Sequence, residues 1–172
     1  SDMALQKKSA SAQVRSLDVR LTGRERFHVE VGGYVDLGFF WVQGNGSGVR
    51  RDLDHALTLV EAVVAAVPDL PVTLKMRLGW DPDCLNAPEL AARAAGAGVR
   101  MLTVHGRTRA QFYSGRADWN AIRAVANLPG RPPLVANGDV VDAASARAAL
   151  AQSGADAVMV YCPMLGAVLF AA

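Results

Sequence analysis

The chain of 172 residues carries 18 Lys and Arg against 16 Asp and Glu, a net charge of +2. That balance alone designates no nucleic-acid partner, and a hydrophobic share of 51% is enough for one sizeable core and hence one domain. Two cysteines, Cys84 and Cys162, have neither a metal-ligand spacing nor the density of a secreted disulfide scaffold, which points to a reducing, cytoplasmic setting and to no bound metal. The opening Ser1-Asp2-Met3, followed by Lys7 and Lys8, lacks the apolar stretch of a signal peptide. No apolar run reaches about 18 residues, so neither export nor a membrane partner is expected.

In chain order, the first candidate strand is 16–21, where Leu17, Val19 and Leu21 alternate with Asp18 and Arg20 as on a half-exposed strand. A second covers 34–40. The clearest helix spans 53–67: Ala56, Leu59, Val60, Val63, Val64 and Val67 fall on one face, Asp52 is placed to cap it and Pro68 to stop it. A strand at 71–77 follows. Asn86 with Glu89 three residues later resembles a capping box opening an Ala-rich helix to Ala95, with Gly96 and Gly98 at its exit. Further strands are expected at 101–105, 133–137 and 157–161, with Asp118 and Asp142 as the next two helix caps.

Short strands alternating with helices at roughly 30 residues per pair are the rhythm of βα units on a parallel sheet. Polar, glycine-containing stretches after each strand suit an α/β fold of the (β/α) TIM-barrel type, in which chemistry gathers at the C-terminal ends of parallel strands. An open doubly wound sheet is the alternative. The strands are too few for a complete eight-stranded barrel, and the chain falls short of the roughly 200 residues such a barrel needs, so a partial barrel is expected.

Three strand ends carry chemistry. Lys75 and Arg77 lie two residues apart and so on one face of an apolar strand, where a cation is costly unless an anion meets it. That anion is either the edge of a ligand or a carboxylate on a neighbouring strand. Thr103-Val-His-Gly-Arg-Thr-Arg109 ends the next strand with His105, a glycine allowing close backbone approach, and Arg107. Ala136-Asn-Gly-Asp139 closes another with a polar turn suited to a phosphate, a weak signal by itself. The aromatics of the loop 111–119 either stack on a base or cover the barrel rim, the latter being the commoner case.

Together, Leu74-Lys-Met-Arg-Leu-Gly-Trp80, the run from Leu102 to Trp119 and Val135-Ala-Asn-Gly-Asp139 resemble the tRNA-dihydrouridine synthases, particularly their bacterial branch, also labelled nitrogen-regulation proteins. Arg51-Asp-Leu-Asp-His-Ala-Leu57 and Gly154-Ala-Asp-Ala-Val-Met159 extend the resemblance over about residues 46–160. It implies an FMN flavoprotein, reduced by NADPH, that passes a hydride to C6 of a uridine held out of the tRNA stack while a cysteine protonates C5. By the same resemblance Lys75 and His105 would contact the flavin ring and the uridine site. Asn137, Gly138 and Asp139 would line the cofactor's phosphate end, and Arg77 and Arg107 would serve the RNA substrate, Arg107 or else the flavin.

The chain also departs from the family. Aligned from Asp36, Trp41 stands where the family's catalytic cysteine belongs, and the following loop is shortened to residues 43–48. Neither Cys84 nor Cys162 stands in the matching motif, so no residue is assigned as general acid. Tyr161-Cys-Pro163 replaces a Gly-Arg-Gly phosphate grip. Residues 1–33 match nothing in the family, residues 34–172 read as the flavin-binding barrel segment, and the family's C-terminal helical domain is not found. Two functions follow: a dihydrouridine synthase, or a descendant that retains a flavin-, phosphate- or RNA-binding scaffold without catalysis. An unrelated phosphate-binding barrel is disfavoured by the His-Gly-Arg-Thr-Arg segment. An open barrel would expose sheet edges and invite self-association.

Overall fold

A computed structural model describes residues 5–8, 13–21, 25–33, 53–162 and 166–171, with side chains over 53–160. The expected strand at 34–40, the Asp52 cap, Trp41, the loop 43–48 and Pro163 lie outside the described residues.

Strands β1 (Leu5–Lys8), β2 (Gln13–Leu21) and β3 (Glu25–Gly33) form an antiparallel three-stranded sheet in the order β1-β2-β3. The expected strand at 16–21 is the C-terminal part of β2, whose Leu17 and Val19 pair with Val29 and Phe27. Strand β3 was not anticipated, although Phe27, Val29 and Val31 alternate with His28 and Glu30 in the same period-2 pattern.

The second sheet contains β4 (Thr73–Arg77), β5 (Met101–His105), β6 (Leu134–Asn137), β7 (Ala157–Cys162) and β8 (Gly166–Ala171), in that order. The first four are parallel. Helices α2 (Ala87–Gly96), α3 (Trp119–Ala126) and α4 (Ala143–Ser153) connect them, and α1 (Leu53–Ala66) precedes β4. This is a partial barrel of the (β/α) type, as expected from sequence. The antiparallel β8 was not foreseen, because Gly166-Ala-Val-Leu-Phe-Ala171 is apolar throughout and shows no alternation.

Two of the expected caps form. The Asp118 carboxylate accepts from Ala121 N at 3.0 Å, and Asp142 closes a capping box in which Ser145 N donates to its carboxylate at 2.7 Å and Ser145 Oγ accepts from Asp142 N at 3.0 Å. The box expected at Asn86 does not form. Its backbone has ψ 6°, whereas Asp118 and Asp142 are extended, so the Asn86 side chain is not aimed back at the helix N–H groups. Glu89 instead pairs with Arg93 one turn later at 3.7 Å. Helix α2 exits through Ala97 in the right-handed region, and Gly98, at φ +102°, makes the turn.

The parallel strands divide their side chains between two faces. Leu74, Leu102, Val104, Leu134, Ala136 and Val158 join Val60 of α1, Ala91 and Ala94 of α2, Ile122 and Val125 of α3 and Ala149 of α4 in one core. On the opposite face Val135, Ala157 and Met159 form a smaller cluster beside the polar residues described next.

Candidate functional site

Parallel register places Arg77 beside His105, His105 beside Asn137, and Asn137 beside Met159. These four residues make one row across the C-terminal ends of the strands, on the face away from the helices. One step toward the strand N-termini, Lys75, Thr103, Val135 and Ala157 form a second row on the same face. Lys75 is exposed there, and β5 contains no carboxylate that could meet it.

His105 is buried at 9% exposure, and among the described residues its Nδ1 has no hydrogen-bond partner. Burial lowers its pKa from 6.5 to about 4, helped by the positive charges of Arg77, Lys75 and Arg107 and opposed by Asp139. At neutral pH the imidazole is uncharged. Asn137 is also buried, and its Nδ2 donates to Met159 O at 3.1 Å, which fixes the side chain across the row.

Arg107 points inward. Only 7% of its side chain is exposed, its Nε donates to Ser114 O at 3.2 Å and its Nη2 to Gly115 O at 2.7 Å. The same Nη2 lies 2.8 Å from both carboxylate oxygens of Asp139. Asp139 also accepts from Ala117 N at 2.7 Å. Partial burial works against its ionisation, but the Ala117 N–H and the Arg107 guanidinium outweigh that, and its carboxyl titrates below the ordinary range. The turn 137–139 and the loop 107–117 are thus tied by one ion pair, whose arginine is buried and whose carboxylate reaches solvent.

Glycine is required at two points of this construction. A Cβ on Gly138, at φ +106°, would lie 2.9 Å from Ala117 Cβ and 3.0 Å from His105 Cε1. A Cβ on Gly106 would meet the Asp118 backbone at 2.9–3.1 Å, where Asp118 N donates to Gly106 O at 2.6 Å. Trp119, which the sequence grouped with the loop aromatics as a base-stacking or rim-covering ring, instead donates from Nε1 to Gly138 O at 2.8 Å and pins the same turn. Its place at the end of the loop motif was the available signal.

Arg77 donates from Nη1 to Thr108 O at 3.2 Å and to Phe112 O at 2.8 Å. The structure therefore brings Lys75, Arg77, His105, Arg107, Asn137, Gly138 and Asp139 to one end of the sheet, with Arg77 and Arg107 both engaged in holding the loop after β5. Cys84 is a free thiol of intermediate exposure on the loop after β4. Among the described residues no group of three or more His, Cys, Asp or Glu could hold a metal, and no helix is long and apolar enough to cross a membrane.

A buried neutral imidazole with an unpartnered Nδ1 thus lies among the positive charges of Arg77, Lys75 and Arg107 at the C-terminal strand ends, where (β/α) barrels gather their chemistry. The description dihydrouridine synthase matches residues 41–166. The chain is 66% identical over 116 residues to a probable tRNA-dihydrouridine synthase of Rhodobacter capsulatus, covering 67% of this chain and 35% of that protein. It is 50% identical over 130 residues to a probable tRNA-dihydrouridine synthase of Rickettsia prowazekii, covering 76% and 36%. With tRNA-dihydrouridine synthase B of Klebsiella pneumoniae it shares 45% over 115 residues, covering 67% and 35%. The chain belongs to the dihydrouridine synthase family, and it spans about a third of the length of these curated relatives.

Proposed function

We propose that this chain carries the cofactor- and substrate-facing strand ends of an FMN-dependent tRNA-dihydrouridine synthase that uses NADPH to reduce uridine in tRNA. The observation that carries this reading is the row Arg77, His105 and Asn137 with Lys75 beneath it. The residues fit a flavin phosphate and ring: the exposed Lys75 brings fixed positive charge, and the buried His105 Nδ1 has hydrogen-bonding capacity left over. When bound, FMN supplies a hydride relay from NADPH to the pyrimidine.

The chain's own residues prepare that site. Lys75 opposes negative charge that develops beside it, in a setting where a preoriented cation is worth more than in water. His105, neutral at physiological pH, gives or takes a hydrogen bond without adding a charge. Asn137, held by Met159 O, sets the third strand end, while Gly138 leaves room for the imidazole, which a Cβ there would meet at 3.0 Å. A cytoplasmic setting, with tRNA and NADPH at hand, accompanies this reading.

A second reading rests on Trp41, which stands where the family has its proton-donating cysteine. Loss of a positioned proton donor forfeits about 10²–10⁴ in rate, which describes a scaffold that binds without turning over. The decisive experiment adds FMN to the purified chain, removes free cofactor by desalting and records the visible spectrum. A near-stoichiometric flavin band is expected, and a colourless protein would overturn the cofactor reading. Dihydrouridine formed at a normal rate from tRNA and NADPH would eliminate the inactive reading.

A further inference from the structure

The loop after β5 ends in two aromatic rings held out of the core. Phe112 is 55% and Tyr113 70% exposed, and their rings meet edge to face at 4.5 Å between centroids. Phe112 adopts φ +52°, an uncommon conformation for a bulky residue that persists only where its surroundings enforce it. The enforcement is visible. Arg77 Nη1 donates to Phe112 O, Thr108 N donates to Gln111 Oε1 at 2.7 Å, Gln111 N donates to Thr108 Oγ1 at 3.2 Å, and Arg107 holds the carbonyls of Ser114 and Gly115. A rim cover would bury these rings, whereas the loop presents them.

Their surroundings are cationic. The Arg77 guanidinium lies 5.8 Å from the Tyr113 centroid and that of Arg109 5.6 Å from the Phe112 centroid. Arg116 is exposed on the same loop, whose one carboxylate, Asp118, caps α3. Exposed aromatic rings flanked by arginines suit a nucleobase whose phosphates lie alongside, because stacking tolerates any base and the guanidinium groups meet the backbone. Arg77 also stands in register with His105, so this surface adjoins the ligand row.

We infer that Phe112 and Tyr113 are a stacking platform for an unpaired base of the RNA substrate, with Arg109 and Arg116 meeting its phosphates. The inference rests on the tRNA reading above and adds the surface that reads single-stranded RNA beside the site. It is tested by titrating labelled unmodified tRNA with the chain, a Phe112→Ala/Tyr113→Ala variant, a Phe112→Leu/Tyr113→Leu variant and a Phe112→Tyr/Tyr113→Phe variant, and by measuring flavin retention and thermal unfolding on each.

Removing the π-faces is expected to weaken tRNA binding about 5- to 150-fold, the equivalent of one stacked base. The leucine pair should bind as weakly as the alanine pair, and the aromatic exchange should bind like the parent. Flavin retention and unfolding should be unchanged, since both rings are exposed. Alanine variants that bind tRNA as tightly as the parent would overturn the inference, as would a parent chain that binds no tRNA. It is equally overturned if the alanine pair loses only self-association, which would make the rings a protein contact. A parent chain that retains no flavin yet binds tRNA through these rings would sink the oxidoreductase reading alone.

Discussion

His105 holds its imidazole neutral because burial strips solvation from the charged form and Arg77, Lys75 and Arg107 repel it, with Asp139 pulling the other way. Its pKa is lowered in the fold, so between about 4 and 6.5 the unfolded chain binds the proton that the folded chain refuses. The stabilisation is complete above 6.5 and is lost as pH falls through that window, on the order of 2 kcal/mol once partial screening is allowed for. A His105→Gln variant, which has no proton to refuse, should show a flatter stability profile in urea unfolding between pH 7 and 4.5. An unchanged slope in the variant would assign the acid sensitivity to another group. Asp139, whose carboxyl titrates below the ordinary range, stays ionised across most of this window, so its pair with Arg107 does not confuse the measurement.

At the scale of elements, legibility followed the kind of signal. Strand β5 and the end of β6 were readable from short apolar runs ending in polar residues, and α1 from its one-sided periodicity, because periodicity reports burial directly. The caps at Asp118 and Asp142 were readable by residue type, while Asn86 was not, since the same residue type caps only if its backbone is extended. The direction of Arg107 was hidden as well: its spacing from His105 reveals a strand end but not which carbonyls it will meet. It acts as the buried clasp of the loop 107–117, joining Ser114 O, Gly115 O and Asp139. Arg107→Ala should cost about 2 kcal/mol, leaving the carbonyls of Ser114 and Gly115 without their donor and Asp139 with the Ala117 N–H alone, and should open the loop to proteolysis. Arg107→Lys should recover only part of this, because an ammonium cannot reproduce the planar fork. A loop equally protected from protease in Arg107→Ala would assign its order to Arg77 and the Thr108–Gln111 pair.

For the whole molecule, the sheet that carries the site is open among the described residues, with β4 and β8 at its two ends in place of a closed ring. Parallel strands are stable when both faces are covered, and a barrel closes precisely this gap by pairing its last strand to its first. Here the helices cover one face, and the other bears the small Val135, Ala157 and Met159 cluster beside the polar rows. The end strands of an open sheet are where a second chain can add, and on β4 the charges of Lys75 and Arg77 disfavour flat edge-to-edge stacking. The balance predicts reversible, concentration-dependent association. Sedimentation velocity over a hundredfold range of concentration should show the average mass rising above that of the monomer, with the rise suppressed by a Thr73→Pro substitution in β4, which removes a ladder donor at the edge. A single monomeric boundary over the whole range would mean that the edge is covered within the chain itself, and with it the face that bears Lys75 and His105.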